Sequence, residues 1–219
     1  MATIRFSWDE TLYLFDKYNL DPNRFIQRNA AVFEDLAGNT LSLPRVLGPL
    51  APATDLATYL KGLQYEHGEL KVSNKGVILL RAGRGAIGIW SNGRLERHRI
   101  LNRYVVRAAQ GRAQSGKNRQ KRTRSTGAAI RGRNETRFIE DLVTLFGKWQ
   151  QEFFQCDEVY VSASPRLWGE VLRGQGHAVF SSKDPRIKRL GLQVGRPGRA
   201  ELQRIVFELT YGTLKLSVS

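Results

Sequence analysis

Two rhythms of apolar positions run along this chain and predict different elements. From about Leu70 the pattern is that of strands: "GVILL" (Gly76–Leu80) and "AIGIW" (Ala86–Trp90) are short, unbroken apolar runs of buried-strand length. Asn92-Gly93 follows, a dipeptide suited to a tight hairpin because both positions tolerate positive φ. The return strand, "RLERHRI", is polar at nearly every position and is expected at an edge facing solvent or RNA. The helical rhythm dominates further on. In "NETRFIEDLVTLFGKWQQEFFQ", Phe138, Leu142, Leu145 and Trp149 recur at helical spacing, with Asn134 as the expected N-cap. "EVYVSAS" (Glu158–Ser164) reads as a buried strand. A short helix is expected near Pro165–Leu172 and a strand near Ala178–Ser181. "RAELQRIVFELTYG" places Leu202, Ile205, Val206 and Leu209 on one helix face, and "TLKLSV" reads as a terminal strand.

Residues 1–65 have a different texture. "SWDETLYLFDKY" carries Ser7 and Glu10 at capping-box spacing, and a further helix is expected from about Thr54, after Pro44, Pro49 and Pro52. The expected organisation is therefore a mostly helical N-terminal accessory segment, 1–65, followed by a domain over 66–219. Strands followed by strand–helix alternation predict an α/β (α+β) fold, a mixed β-sheet flanked by helices.

Between the strand opening "YVVR" and the helix near Asn134 lies a connection too long for a passive turn. Composition gives it meaning. The chain has 35 Lys and Arg against 20 Asp and Glu, a net charge of +15. Thirteen of those 35 cations fall between Arg94 and Arg133, opposed by Glu96 alone. A solvated face normally mixes signs; like charge at this density makes sense against a phosphate-rich partner. Nucleic acid is the expected partner. A membrane is not, since no apolar run approaches the ~18–20 residues of a span and the basic segment has no bulky apolar face. One cysteine, Cys156, fits a reducing cytoplasm, and His67, His98 and His177 are too scattered to predict a metal site. The Gly83–Gly88 match to G-x-G-x-x-G is followed by a strand rather than a helix, so it reads as a strand–strand turn.

Within the loop, "GRAQ" (Gly111–Gln114) is the one element suited to chemistry. A glutamine amide is no general base at neutral pH, but it both donates and accepts hydrogen bonds. It can orient a water or stabilise a developing oxyanion. Gly111 permits close backbone approach to a substrate.

Three stretches, "YVVRAAQGRAQS", "STGAAIRGRNE" and "RIKRLGLQVGRPGRAELQRIVFELT", occur in an order that resembles the Vms-like peptidyl-tRNA release factors of ribosome-associated quality control. That family is related to the catalytic domain of eukaryotic and archaeal class I release factors, and the resemblance spans about Gly76 to Tyr211. It implies a release-factor catalytic-domain-like (RNase H-like) fold in a compact prokaryotic form. It also implies a basic GxxQ loop over 108–133 entering the peptidyl-transferase centre of a stalled large ribosomal subunit. The implied substrate is peptidyl-tRNA, with Gln114 placing water on its ester and Gly111 permitting the loop's shape. Arg107, Arg112, Lys117, Arg119, Lys121, Arg122, Arg124, Arg131 and Arg133 would meet rRNA or tRNA phosphate. Arg112 stands where the family loop has its second glycine. No cofactor or metal is implied, because the ribosome supplies the RNA catalyst, and a cytoplasmic monomer is expected. Two alternatives stay open: endonucleolytic removal of the tRNA 3′ CCA end, and a non-catalytic rRNA-binding module.

Overall fold

A computed structural model of the chain describes residues 2–7, 9–29, 32–45, 55–66, 74–91, 94–103, 125–174 and 179–217. Among these, two compact units can be distinguished: residues 1–72 with 204–219, and residues 73–203.

The first unit is built on a five-stranded antiparallel sheet. Its strands are β1 (Ala2–Ser7), β2 (Ile26–Asn29), β3 (Val32–Glu34), β4 (Thr40–Ser42) and β10 (Tyr211–Leu216), in the order β1-β10-β4-β3-β2. An in-register apolar row, Ile4, Leu214, Leu41 and Phe33, crosses four of these strands. With Phe6, Phe15, Phe25, Leu56 and Leu60 it makes one core. The helical parts are short: a 3₁₀ turn (Asp9–Leu12), α1 (Leu14–Lys17), a second 3₁₀ turn (Pro22–Arg24) and α2 (Leu56–Glu66). Ser7 and Glu10 do form half of the expected capping box, the Ser7 N–H donating to the Glu10 carboxylate at 2.7 Å. Asp55 caps α2 by accepting from the Thr58 N–H at 2.7 Å.

This corrects the expected organisation. The N-terminal segment is not simply a helical extension, because its short strands need a partner and find one in the C-terminal strand. Residues 204–219, assigned from sequence to the second domain, belong with residues 1–72.

The second unit holds a mixed five-stranded sheet ordered β7-β6-β5-β8-β9. β5 (Asn74–Arg81), β6 (Arg84–Ser91) and β7 (Arg94–Asn102) form an antiparallel meander, while β8 (Cys156–Ser162) and β9 (Ile187–Arg189) run parallel beside β5. The apolar runs read from sequence are the central strands: Val77, Ile78, Leu79, Ala86 and Ile87 are completely buried. Gly83 turns the chain from β5 to β6 with φ +69°, the ordinary strand–strand turn expected there. Ser91 pairs with Arg94 across the next hairpin; Asn92 and Gly93 lie outside the described residues.

One face of this sheet is covered by α3 (Ser125–Lys148), α4 (Gln150–Phe154) and α5 (Pro165–Gly174). Phe138, Leu142, Leu145 and Trp149 are all buried against it, as their spacing requires. α6 (Arg199–Thr210) buries its predicted stripe of Leu202, Ile205, Val206 and Leu209.

Two expectations fail here. Asn134 is not an N-cap, since α3 begins at Ser125: "STGAAIRGR" contains no proline, and its alanines and arginines favour helix. Residues 179–181 form no strand. Val179 and Phe180 are buried as core fillers instead, Phe180 packing edge-on against Phe146 and Phe153, and the strand position beside β8 goes to β9.

Candidate nucleic-acid interface

β7 is an edge strand, as its polar sequence implies. Pleating alone would alternate its side chains, and a register shift opposite Ile89 and Trp90 resets that alternation after Leu95. Beyond it, Arg97, Arg99 and Leu101 lie opposite Ile89, Ile87 and Gly85, on the face that α3 covers. Arg103, immediately past the strand, continues the row. α3 presents Asp141, Thr144 and Lys148 at helical spacing toward the same place. Between strand and helix lies a groove of about 760 Å³.

Three relationships shape it. Arg103 grips Asp141 through two hydrogen bonds, Nε to Oδ2 at 2.6 Å and Nη2 to Oδ1 at 3.0 Å. The guanidinium holds the Asp141 carboxyl below the usual carboxylate range. Further along, Arg97 pairs with Glu152, and its guanidinium lies 4.5 Å from the centroid of the buried Trp149 ring. Between these anchored arginines, Arg99 and Lys148 are exposed, and neither has a hydrogen-bond or ion-pair partner among the described residues.

The ends of this construction frame the basic loop. β7 ends at Asn102, and α3 returns at Ser125. The Arg103 N–H donates to the Gly83 carbonyl at 2.7 Å, fixing the departure point to the β5–β6 turn. Gln114, Gly111, Arg107, Arg112, Lys117, Arg119, Lys121, Arg122 and Arg124 lie outside the described residues. Arg131 falls within α3, where the backbone alone is described, and Arg133 is exposed on the same helix. The last nine positions of the expected 108–133 loop are therefore helical. Sequence reading counted Arg97, Arg99 and Arg103 within the basic run but missed Asp141 and Lys148. Their spacing of seven on one helix was the available signal, masked by the apolar stripe beside them.

Among the described residues there is no cluster of potential metal ligands, and no helix is long and apolar enough to cross a membrane. Cys156 is buried, which pushes its thiol up to about 12.

Comparison with known proteins decides the family. The model of the Bacteroidetes VLRF1 release factor matches residues 76–217. The chain belongs to that family. Its similarity extends to curated eukaryotic proteins. The tRNA endonuclease ANKZF1 of Mus musculus is 30% identical over 200 residues, covering 89% of this chain and 26% of the mouse protein. The human tRNA endonuclease ANKZF1 is 29% identical over 201 residues, 90% of this chain and 27% of its own length. The tRNA endonuclease VMS1 of Saccharomyces cerevisiae is 29% identical over 115 residues, covering 52% of this chain and 18% of the yeast protein. The chain thus spans about a quarter of the length of the mouse and human proteins. In fold it matches the Vms1 mitochondrial localization core with a TM-score of 0.52 at 17% identity, over 97% of this chain and 85% of that one. The mixed α/β architecture flanked by helices is accordingly that of the Vms1 core, and the expected Vms-like release-factor membership holds.

Proposed function

We propose that this protein frees nascent chains from peptidyl-tRNA on stalled large ribosomal subunits in ribosome-associated quality control. Membership of a release-factor family carries this reading, supported by a long cationic GxxQ segment whose two ends are rooted at β7 and α3. Gln114 orients a water at the ester joining peptide to tRNA. Water adds to the acyl carbon and the acyl–oxygen bond breaks. The peptide leaves with a free carboxylate, and the tRNA keeps its terminal ribose with the hydroxyl restored. The protein brings neither metal nor cofactor. Its contribution is to deliver one oriented amide into an RNA catalyst, by proximity and electrostatic orientation. Gly111 gives the loop backbone its freedom. Arg107, Arg112, Lys117, Arg119, Lys121, Arg122, Arg124, Arg131 and Arg133 neutralise the RNA phosphates along the way. The protein works as a cytoplasmic monomer.

A second reading is favoured by the relatives named tRNA endonucleases. Here a ribose 2′-OH near the tRNA 3′ end attacks the adjacent phosphate, the 5′-oxygen of the next nucleotide leaves, and a 2′,3′-cyclic phosphate remains on the shortened tRNA. Product analysis separates the two. Purified large subunits carrying stalled peptidyl-tRNA are incubated with the protein, and both products are examined by mass spectrometry. Free peptide carboxylate with full-length tRNA supports ester hydrolysis. A peptide still bearing terminal nucleotides overturns it in favour of cleavage in the RNA.

A further inference from the structure

The groove between β7 and α3 is charged in a way that the fold itself does not require. Its walls carry Arg97, Arg99, Arg103 and Lys148, and Asp141 is the carboxylate among its lining residues. Asp141 is already engaged by Arg103, and Arg97 is anchored by Glu152 and Trp149. Arg99 and Lys148 line the same groove, and neither has an ion-pair partner among the described residues. The connecting segment 104–124 has no acidic residue, so it brings no counter-charge of its own. An arrangement of this kind is self-repulsive unless an external anion completes it.

Its geometry suits one kind of anion. Arg97 and Arg99 stand two residues apart on one face of an extended strand, which sets them about 6.7 Å apart along its axis. Arg103, four residues beyond Arg99 and just past the strand's end, continues the row two such intervals further on, with Leu101 between. A linear series of cations along a groove tracks the backbone of a single nucleic-acid strand. The paired arginines keep roughly half their side-chain surface exposed (50% for Arg97, 42% for Arg103), so donors remain for a phosphate. Among the described residues no strand pairs with the outer side of β7.

We propose that this groove is a binding site for the sugar–phosphate backbone of a single RNA strand, with Arg99 and Lys148 as its principal phosphate contacts. The site lies at the root of the GxxQ loop and is separate from the loop's own cations. The proposal deepens the release reading by giving the protein a second hold on the RNA next to which the loop is inserted. Arg97 and Arg103 are positioning residues as well as contacts: their acidic partners fix the row, while Arg99 and Lys148 stay available.

The test uses the full chain and a short fluorescein-labelled oligouridine, with binding read by fluorescence anisotropy across a salt series. Arg99→Glu/Lys148→Glu is expected to weaken binding about tenfold or more at moderate salt. Removing two phosphate contacts should also make the dependence of log K on log salt shallower by about 1.4. Arg99→Gln/Lys148→Gln, which adds no repulsion, should give the same change of slope with a smaller loss. Circular dichroism melting checks that the variants fold; neither side chain holds a described partner, so both should melt like wild type. Wild-type affinity and slope in the neutral variant would overturn the proposal. Equal or tighter binding of an RNA duplex would overturn the single-strand assignment. Equal competition by polyglutamate of matched charge would show a general anion surface and overturn the RNA assignment. Oligouridine binding is read without any release step, and release is read on stalled subunits, so failure of the groove and failure of the release chemistry appear in different assays.

Discussion

Arg103 and Asp141 meet through two hydrogen bonds at the point where the chain leaves β7 for the basic loop. This pair joins the end of β7 to α3, the helix that follows the loop in sequence. Its strength depends on ionisation. The folded Asp141 carboxyl titrates below its ordinary value of 3.8, chiefly because it accepts hydrogen bonds from Arg103. A depressed carboxylate contributes stability that is present above the unfolded pKa and is lost as pH falls through the folded one. Asp141→Asn should therefore melt below wild type at neutral pH, and the gap should close as pH falls below about 4. Melting curves across pH check this; a gap that persists unchanged well below that range would assign the effect to packing.

Cys156 gives a reporter of the second unit's core. Burial holds its thiol protonated at any ordinary pH, so it should resist an aromatic disulfide reagent at pH 8 in the native state and react freely in denaturant. Rapid labelling of the native protein would show that this part of the core opens far more readily than its packing implies.

Phe146 is completely buried and meets Phe153 and Phe180 edge-on, each at 5.5 Å between ring centroids. Removing it takes away transfer energy and leaves a cavity. Phe146→Ala should cost about 3–5 kcal/mol in urea unfolding. A loss below about 1 kcal/mol would mean that the aromatic cluster does not organise this core.

Much of that core is legible in the sequence. The runs at Gly76–Leu80 and Ala86–Trp90 and the stripe from Phe138 to Trp149 are long enough for periodicity to speak, and their burial is close to complete. The first unit was much less legible. β3 and β4 have three residues each, too few to show alternation, and β1 finds its partner at the other end of the chain, where Ala2 pairs with Leu216. Pairing at that separation leaves no local trace. The start of α3 was hidden for another reason: "STGAAIRGR" is polar and small on all sides, so nothing in its pattern distinguishes helix from loop. In the candidate site, the arginine row on β7 stood out as charge. Its acidic and basic counterparts on α3 emerged once strand and helix were packed together.

The long-range pairing of the first unit makes its own prediction. Gly212 sits opposite Phe6, where a side-chain carbon would run into the Phe6 ring and approach the Ser42 carbonyl at 2.6 Å. Backbone cannot move aside cheaply. Gly212→Ala should destabilise the protein by about 1–3 kcal/mol in urea unfolding, with the midpoint shifting at constant slope. Wild-type stability would contradict the pairing of β10 between β1 and β4.

Charge on the loop should show in salt dependence as well. Arg122→Glu/Arg124→Glu should weaken binding to large ribosomal subunits and flatten its salt dependence, because two phosphate contacts are lost. Affinity that is insensitive to salt in the wild-type protein would contradict phosphate neutralisation by this segment.

The central claim is that the Gln114 amide is delivered into an RNA active site, and one comparison tests it most directly. Release of nascent chains from purified, stalled large subunits is timed for wild type and Gln114→Ala at saturating protein, alongside subunit binding. The account predicts unchanged binding with release slowed by about 100-fold or more, the scale expected when an oriented polar group is removed from a reacting centre. Equal release rates for the two proteins would contradict it.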